Sequence, residues 1–136
     1  MKTEDLNEQL IDSCKEGNIE KAERLIEKGA EVNFVNSDNK YAMTPLMWAS
    51  CRGDIELAEI LIDKGANVNA FSRDGQTALR MAAYYFKTKM AKLLIKNGAD
   101  VNSVDEVGQT CLIDACDTFE SMSEMSRLLT DAGAEA

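Results

Sequence analysis

The sequence predicts an all-α solenoid of four helix–turn–helix units with protruding β-hairpin-like turns. One phrase recurs as Gly29-Ala30-Glu31-Val32-Asn33, Gly65-Ala66-Asn67-Val68-Asn69 and Gly98-Ala99-Asp100-Val101-Asn102, with an echo at Gly133-Ala134. A second, Thr44-Pro45-Leu46, Thr77-Ala78-Leu79 and Thr110-Cys111-Leu112, returns every 33 residues. Between the two, apolar residues keep helical spacing: Leu57, Ala58, Leu61 and Ile62 in one copy, Met90, Ala91, Leu94 and Ile95 in the next.

The units run over about 5–30, 31–66, 67–99 and 100–134 within a single domain, 1–136. In the first, Gly17 marks the break between two helices and Gly29 ends the second, glycine accepting the left-handed backbone a helix C-terminus often needs. Lys15, Glu16, Glu20, Lys21, Glu23, Arg24, Glu27 and Lys28 crowd this unit and suit it to end a stack, where one face has no neighbour. The second unit has a long turn: Gly29 to Thr44 takes 15 residues where later copies take 12, so three extra fall around Ser37 to Lys40. In the third, Asn67 to Gly75 is rich in Asn, Ser, Asp and Gly, which form turns. The fourth takes 23 residues from Thr110 to Gly133 against 21 in its predecessors, placing two extra near Glu120 to Ser123. A complete short array, and hence a monomer, is the expectation.

These phrases resemble the ankyrin-repeat family, whose period is about 33 residues and whose signature reads T-P-L-H-x-A. Thr44-Pro45-Leu46-Met47-Trp48-Ala49 is the closest match, and the resemblance runs from about Asp5 to Ala134. No copy keeps the signature His, which Met47, Arg80 and Ile113 replace, and one copy alone has the Pro. The resemblance implies that turns and first helices line a concave, partner-binding face, with second helices on the convex back. The lost His implies a less rigid stack than a consensus array.

The formal charge of −9 and pI near 4.5 oppose a phosphate backbone, whose affinity comes mostly from Lys and Arg. Nucleic acid is therefore excluded as a partner, and a protein with a basic surface fits better. No apolar run approaches the length needed to cross a bilayer, and Met1 to Asp5 lacks the apolar region of a secretory signal, so a cytoplasmic location with no membrane contact is expected. Cys14, Cys51, Cys111 and Cys116 include no C-x-x-C pair and read as reduced thiols.

Zero histidines remove any Ser-His-Asp, Cys-His or His-metal arrangement. No phosphate-cradling glycine motif is present, and the 24 acidic residues read as a solvated exterior, so catalysis, metal and cofactors are not expected. Cys14 and Cys116 read as core packing, whereas Cys51, one position further on, reads as the outward thiol worth testing for reactivity. Asn33, Asn69 and Asn102 read as turn residues bonding nearby backbone.

All eight aromatics fall in the turns or in first helices and their ends: Phe34, Tyr41, Trp48, Phe71, Tyr84, Tyr85, Phe86 and Phe119. Consecutive helical residues point about 100° apart, so Tyr84, Tyr85 and Phe86 cannot all enter one core. Interfaces are enriched in Tyr, Trp and Arg. The candidate protein-binding residues are Tyr41, Arg52, Phe71, Arg73, Tyr84, Tyr85, Val104 and Asp117. Against this, Tyr84 and Tyr85 could pack over Trp48 and Met81 to fill the space of the missing His; Trp48 itself reads as structural. The functional expectation is a non-catalytic module that binds a protein on its concave face. An acidic inhibitor or immunity-type protein that blocks a basic toxin or enzyme is the alternative.

Overall fold

In the computed structural model, residues 3–35, 42–104 and 124–133 are described. Among them are seven α-helices and no strand: α1 (Thr3–Glu16), α2 (Ile19–Glu27), α3 (Pro45–Arg52), α4 (Ile55–Asp63), α5 (Ala78–Tyr84), α6 (Thr88–Lys96) and α7 (Glu124–Asp131). The lengthened turn, the Thr110 phrase, the first helix of the fourth unit and Cys116 lie outside the described residues.

Helices α3 and α5 each start where a threonine hydroxyl can accept a free amide. Thr44 Oγ1 accepts from Met47 N at 3.2 Å, and Thr77 Oγ1 from Arg80 N at 3.2 Å. Met47 returns the favour, its Sδ accepting from Thr44 N at 3.4 Å and closing a capping box. The signature His is thus replaced by side chains that stay inside: Met47 and Arg80 are each 1% exposed.

The second helices start on a different device. Asn18 Oδ1 accepts from Lys21 N at 3.2 Å ahead of α2, and Asp54 Oδ1 from Leu57 N at 3.3 Å ahead of α4. Ahead of α6 stands Lys87, which makes no side-chain cap. The C-terminal ends share one solution, with left-handed Gly29, Gly65, Gly98 and Gly133.

Helices α1, α3 and α5 pack in one row, and α2, α4, α6 and α7 in a second behind it. Leu10, Cys14, Leu46, Leu57, Leu61, Leu79, Ala83, Met90, Leu94 and Leu129 are buried between the rows, and small Ala22, Ala49, Ala58, Ala82 and Ala91 let the helices approach. Burying each such leucine contributes about 1.5–3 kcal/mol. Since the faces are covered by the next unit, stability is a sum of neighbour terms.

The turns are stitched across that boundary by asparagines. Asn33 Oδ1 accepts from Asn67 N at 2.7 Å while its Nδ2 donates to Gly65 O at 3.1 Å. Asn69 repeats this one unit on, accepting from Asp100 N at 2.8 Å and donating to Gly98 O at 3.0 Å, and Asn102 Nδ2 donates to Gly133 O at 3.1 Å. The expectation of local bonding is therefore corrected: these amides bond backbone far along the chain, at the glycine that ends their own unit's second helix and, for Asn33 and Asn69, at the first amide of the following unit. Local bonding belongs to Asn67 and Asp100, whose side chains accept from the amides of Asn69 and Asn102. The turn before α5 closes like a hairpin through Ser72 N donating to Gln76 O at 2.8 Å.

Candidate functional site

The aromatic cluster forms where α5 ends. Tyr84 is its last residue and Tyr85 its C-cap. The two rings meet edge to face, with centroids 5.0 Å apart and planes at 82°, a geometry favoured by the ring quadrupoles. Tyr84 is 61% exposed, Tyr85 51% and Phe86 42%. The alternative that Tyr84 and Tyr85 pack inward to replace the missing His is thereby overturned: buried Met47 and Arg80 already occupy the His positions.

Trp48 is half-buried against the core, and Lys15 Nζ stands 4.9 Å from its ring centroid, a cation–π arrangement. Arg52 ends α3, the neighbour of α5, and is exposed. Its Nη1 donates to Lys15 O at 3.0 Å, and its guanidinium lies where a side chain on Gly17 would be. Arg52 thus joins the first two units as well as facing solvent.

Phe71 and Val104, at matching places in successive turns, are 57% and 52% exposed. Arg73, near Phe71, is also exposed. Tyr41 and Asp117 lie outside the described residues. Phe71 and Arg73 precede α5, and Tyr84 and Tyr85 stand at its C-terminal end, so the candidates lie at the two ends of a helix about 10 Å long.

The two described thiols, Cys14 and Cys51, are poorly suited to chemistry. Burial, with the charge of Asp54 second, pushes the Cys14 thiol up to about 12 from an ordinary 9.0. The expectation that Cys51 faces outward is corrected: it is half-buried, its Sγ donates to Met81 Sδ at 3.3 Å, and burial pushes it up to about 11. A thiol held protonated is a weak nucleophile. Among the described residues no three His, Cys, Asp or Glu gather as a metal site, and no helix is long and apolar enough to cross a membrane.

Two features escaped sequence reasoning. Phe86 adopts a positive φ of 58°, and α6 exposes Lys89, Lys92 and Lys96 on one face. Aligning the units by charge instead of by apolar spacing would have revealed the second.

A protein-family model described as ankyrin repeats, in three copies, matches residues 7–72 and 70–136. No curated protein matches the chain significantly.

Proposed function

The chain belongs to the ankyrin-repeat family, whose members generally serve as protein–protein interaction modules, and from that premise we propose that it binds a partner protein on its concave face and catalyses no reaction. The observation that carries this reading is the exposed pair Tyr84 and Tyr85 at the end of α5, a helix of the row that faces the concave side in this family. Two amphipathic rings pre-organised against each other lose little freedom on binding and offer both apolar area and hydroxyls. Arg52 on the preceding unit and Phe71, Arg73 and Val104 on the turns complete the footprint. The charge of −9 favours a partner with a basic surface.

The test is affinity capture from a lysate of the source cells with wild type and with a Tyr84→Ala/Tyr85→Ala variant whose helicity is checked by circular dichroism. The reading expects a protein retained by wild type and lost by the folded variant. Equal capture by both would place the interface elsewhere.

A further inference from the structure

The outer helix of the third unit reverses the charge of its predecessors position by position. In α2 the exposed carboxylates are Glu20, Glu23 and Glu27, and in α4 the same places hold Glu56, Glu59 and Asp63. In α6 they hold Lys89, Lys92 and Lys96, all exposed, each 33 residues beyond its acidic counterpart. The capping residue follows suit, Asp54 giving way to Lys87. Residues 75–99 contain five basic residues and no acidic one, leaving 10 of the 15 basic residues and all 24 acidic ones elsewhere, a net −14.

This pattern is retained against local stability. Three lysines at i, i+3 and i+7 on one helix repel one another. Lys87 forgoes the cap bond that Asn18 and Asp54 make, and α6 has no acidic residue in its first turn to meet the helix dipole. Just ahead, Phe86 takes a left-handed backbone, at φ 58°, where Gly17 and Gly53 stand at 75° and 71°, a conformation a side chain disfavours. The stripe is also not consumed internally: Lys89, Lys92 and Lys96 make no ion pair with the carboxylates of α4. Costs concentrated in one segment, with no ion pair gained by the three exposed lysines in return, mark a surface kept for an outside ligand.

We propose that the outer face of α6, Lys89, Lys92 and Lys96 with Phe86 at its head, is a second docking surface that takes an acidic segment of another protein. Charge complementarity selects the occupant. The stripe is one helix wide and adjoins the carboxylates of α4, so a nucleic acid or an anionic bilayer, being extended, would overlap Glu56, Glu59 and Asp63. A second copy of the chain is repelled by its own −9. A short acidic segment fits within the stripe, an apolar side chain meeting the exposed Phe86 ring. The surface lies behind Tyr84 and Tyr85 and is independent of the concave reading.

The test is fluorescence anisotropy of the full chain with an array of fluorescein-labelled peptides of Glu and Asp interspersed with Leu or Phe, beside Lys-for-Glu counterparts. Acidic members are expected to bind and to weaken at least tenfold between low and high salt. Lys89→Glu/Lys92→Glu/Lys96→Glu, which copies the pattern α4 already carries, is expected to weaken binding at least tenfold further while remaining folded. Phe86→Gly, which copies the second unit's turn, should weaken it severalfold. Tyr84→Ala/Tyr85→Ala should leave peptide binding unchanged, and the lysine variant should leave concave capture unchanged, so the two readings fail separately. Absence of acidic-peptide binding, equal binding by the triple variant, or binding confined to phosphatidylserine vesicles, to a single-stranded oligonucleotide or to a second copy in ultracentrifugation would each overturn the proposal.

Discussion

Phe86 occupies in the third unit the place that Gly53 holds in the second, and both backbones are left-handed, at φ 58° and 71°. A left-handed residue with a side chain costs about 1 kcal/mol or more relative to glycine. Phe86 is also 42% exposed, so little packing is lost with its ring. Phe86→Gly is therefore expected to raise stability by about 1 kcal/mol, read as a higher urea midpoint at unchanged slope.

Lys87 stands where Asp54 caps α4 by accepting from Leu57 N at 3.3 Å. Lys87→Asp restores that acceptor ahead of α6 and places a negative charge at the positive end of the helix dipole. It also removes a stem that lies over Gly53, 2.8 Å from where a Cβ would be. The net expectation is a gain of about 0.5–1 kcal/mol, the cap contributing more than the lost stem. Thermal unfolding checks it; a loss would show that the contact over Gly53 dominates.

Asn69→Ala removes the 2.8 Å bond from Asp100 N, which ties the third unit to the fourth, and the 3.0 Å bond to Gly98 O at the end of its own unit. At about 1 kcal/mol for each exposed bond, the loss is expected to be about 1–2 kcal/mol. The amide of Asp100 should exchange with deuterium markedly faster, and amides in α1 and α2 should not change.

The raised Cys14 thiol sets an alkaline limit. Its folded value of about 12 exceeds the ordinary 9.0, so the unfolded chain releases this proton first as pH rises. The contribution to stability is whole below pH 9.0 and is lost on the way to about 12. Urea midpoints are expected to decline above pH 9, and Cys14→Ala should decline less steeply. At pH 8 both Cys14 and Cys51 should react with a disulfide reagent far more slowly in the native protein than in urea.

The fold was legible because its markers are local. Gly29, Gly65 and Gly98 announce helix ends, Thr44 and Thr77 announce helix starts, and apolar spacing places Leu57, Leu61, Met90 and Leu94 inside. What the residues touch across a unit boundary was not legible. Asn69 looks like an ordinary turn residue until the chain returns 29 residues later with Gly98. Helical phase turns Cys51 outward, but phase carries no information about Met81 on the neighbouring helix. The exposure of Tyr84 and Tyr85 depended on whether Met47 and Arg80 would fill the His positions, a matter of three-dimensional packing. The lysines of α6 are plain in the sequence, but they stand on a second helix, whereas the aromatic signal lies in turns and first helices.

The asparagine clamps also determine how the molecule answers a mechanical load. Those of Asn33 and Asn69 each join one unit to the next and neither spans two, so a pull on the ends is carried in series. Interfaces loaded in series yield at the weakest, and after it gives the others remain intact. The third unit, whose α6 is crowded with lysines and starts without a side-chain cap, is therefore expected to yield first under such a load.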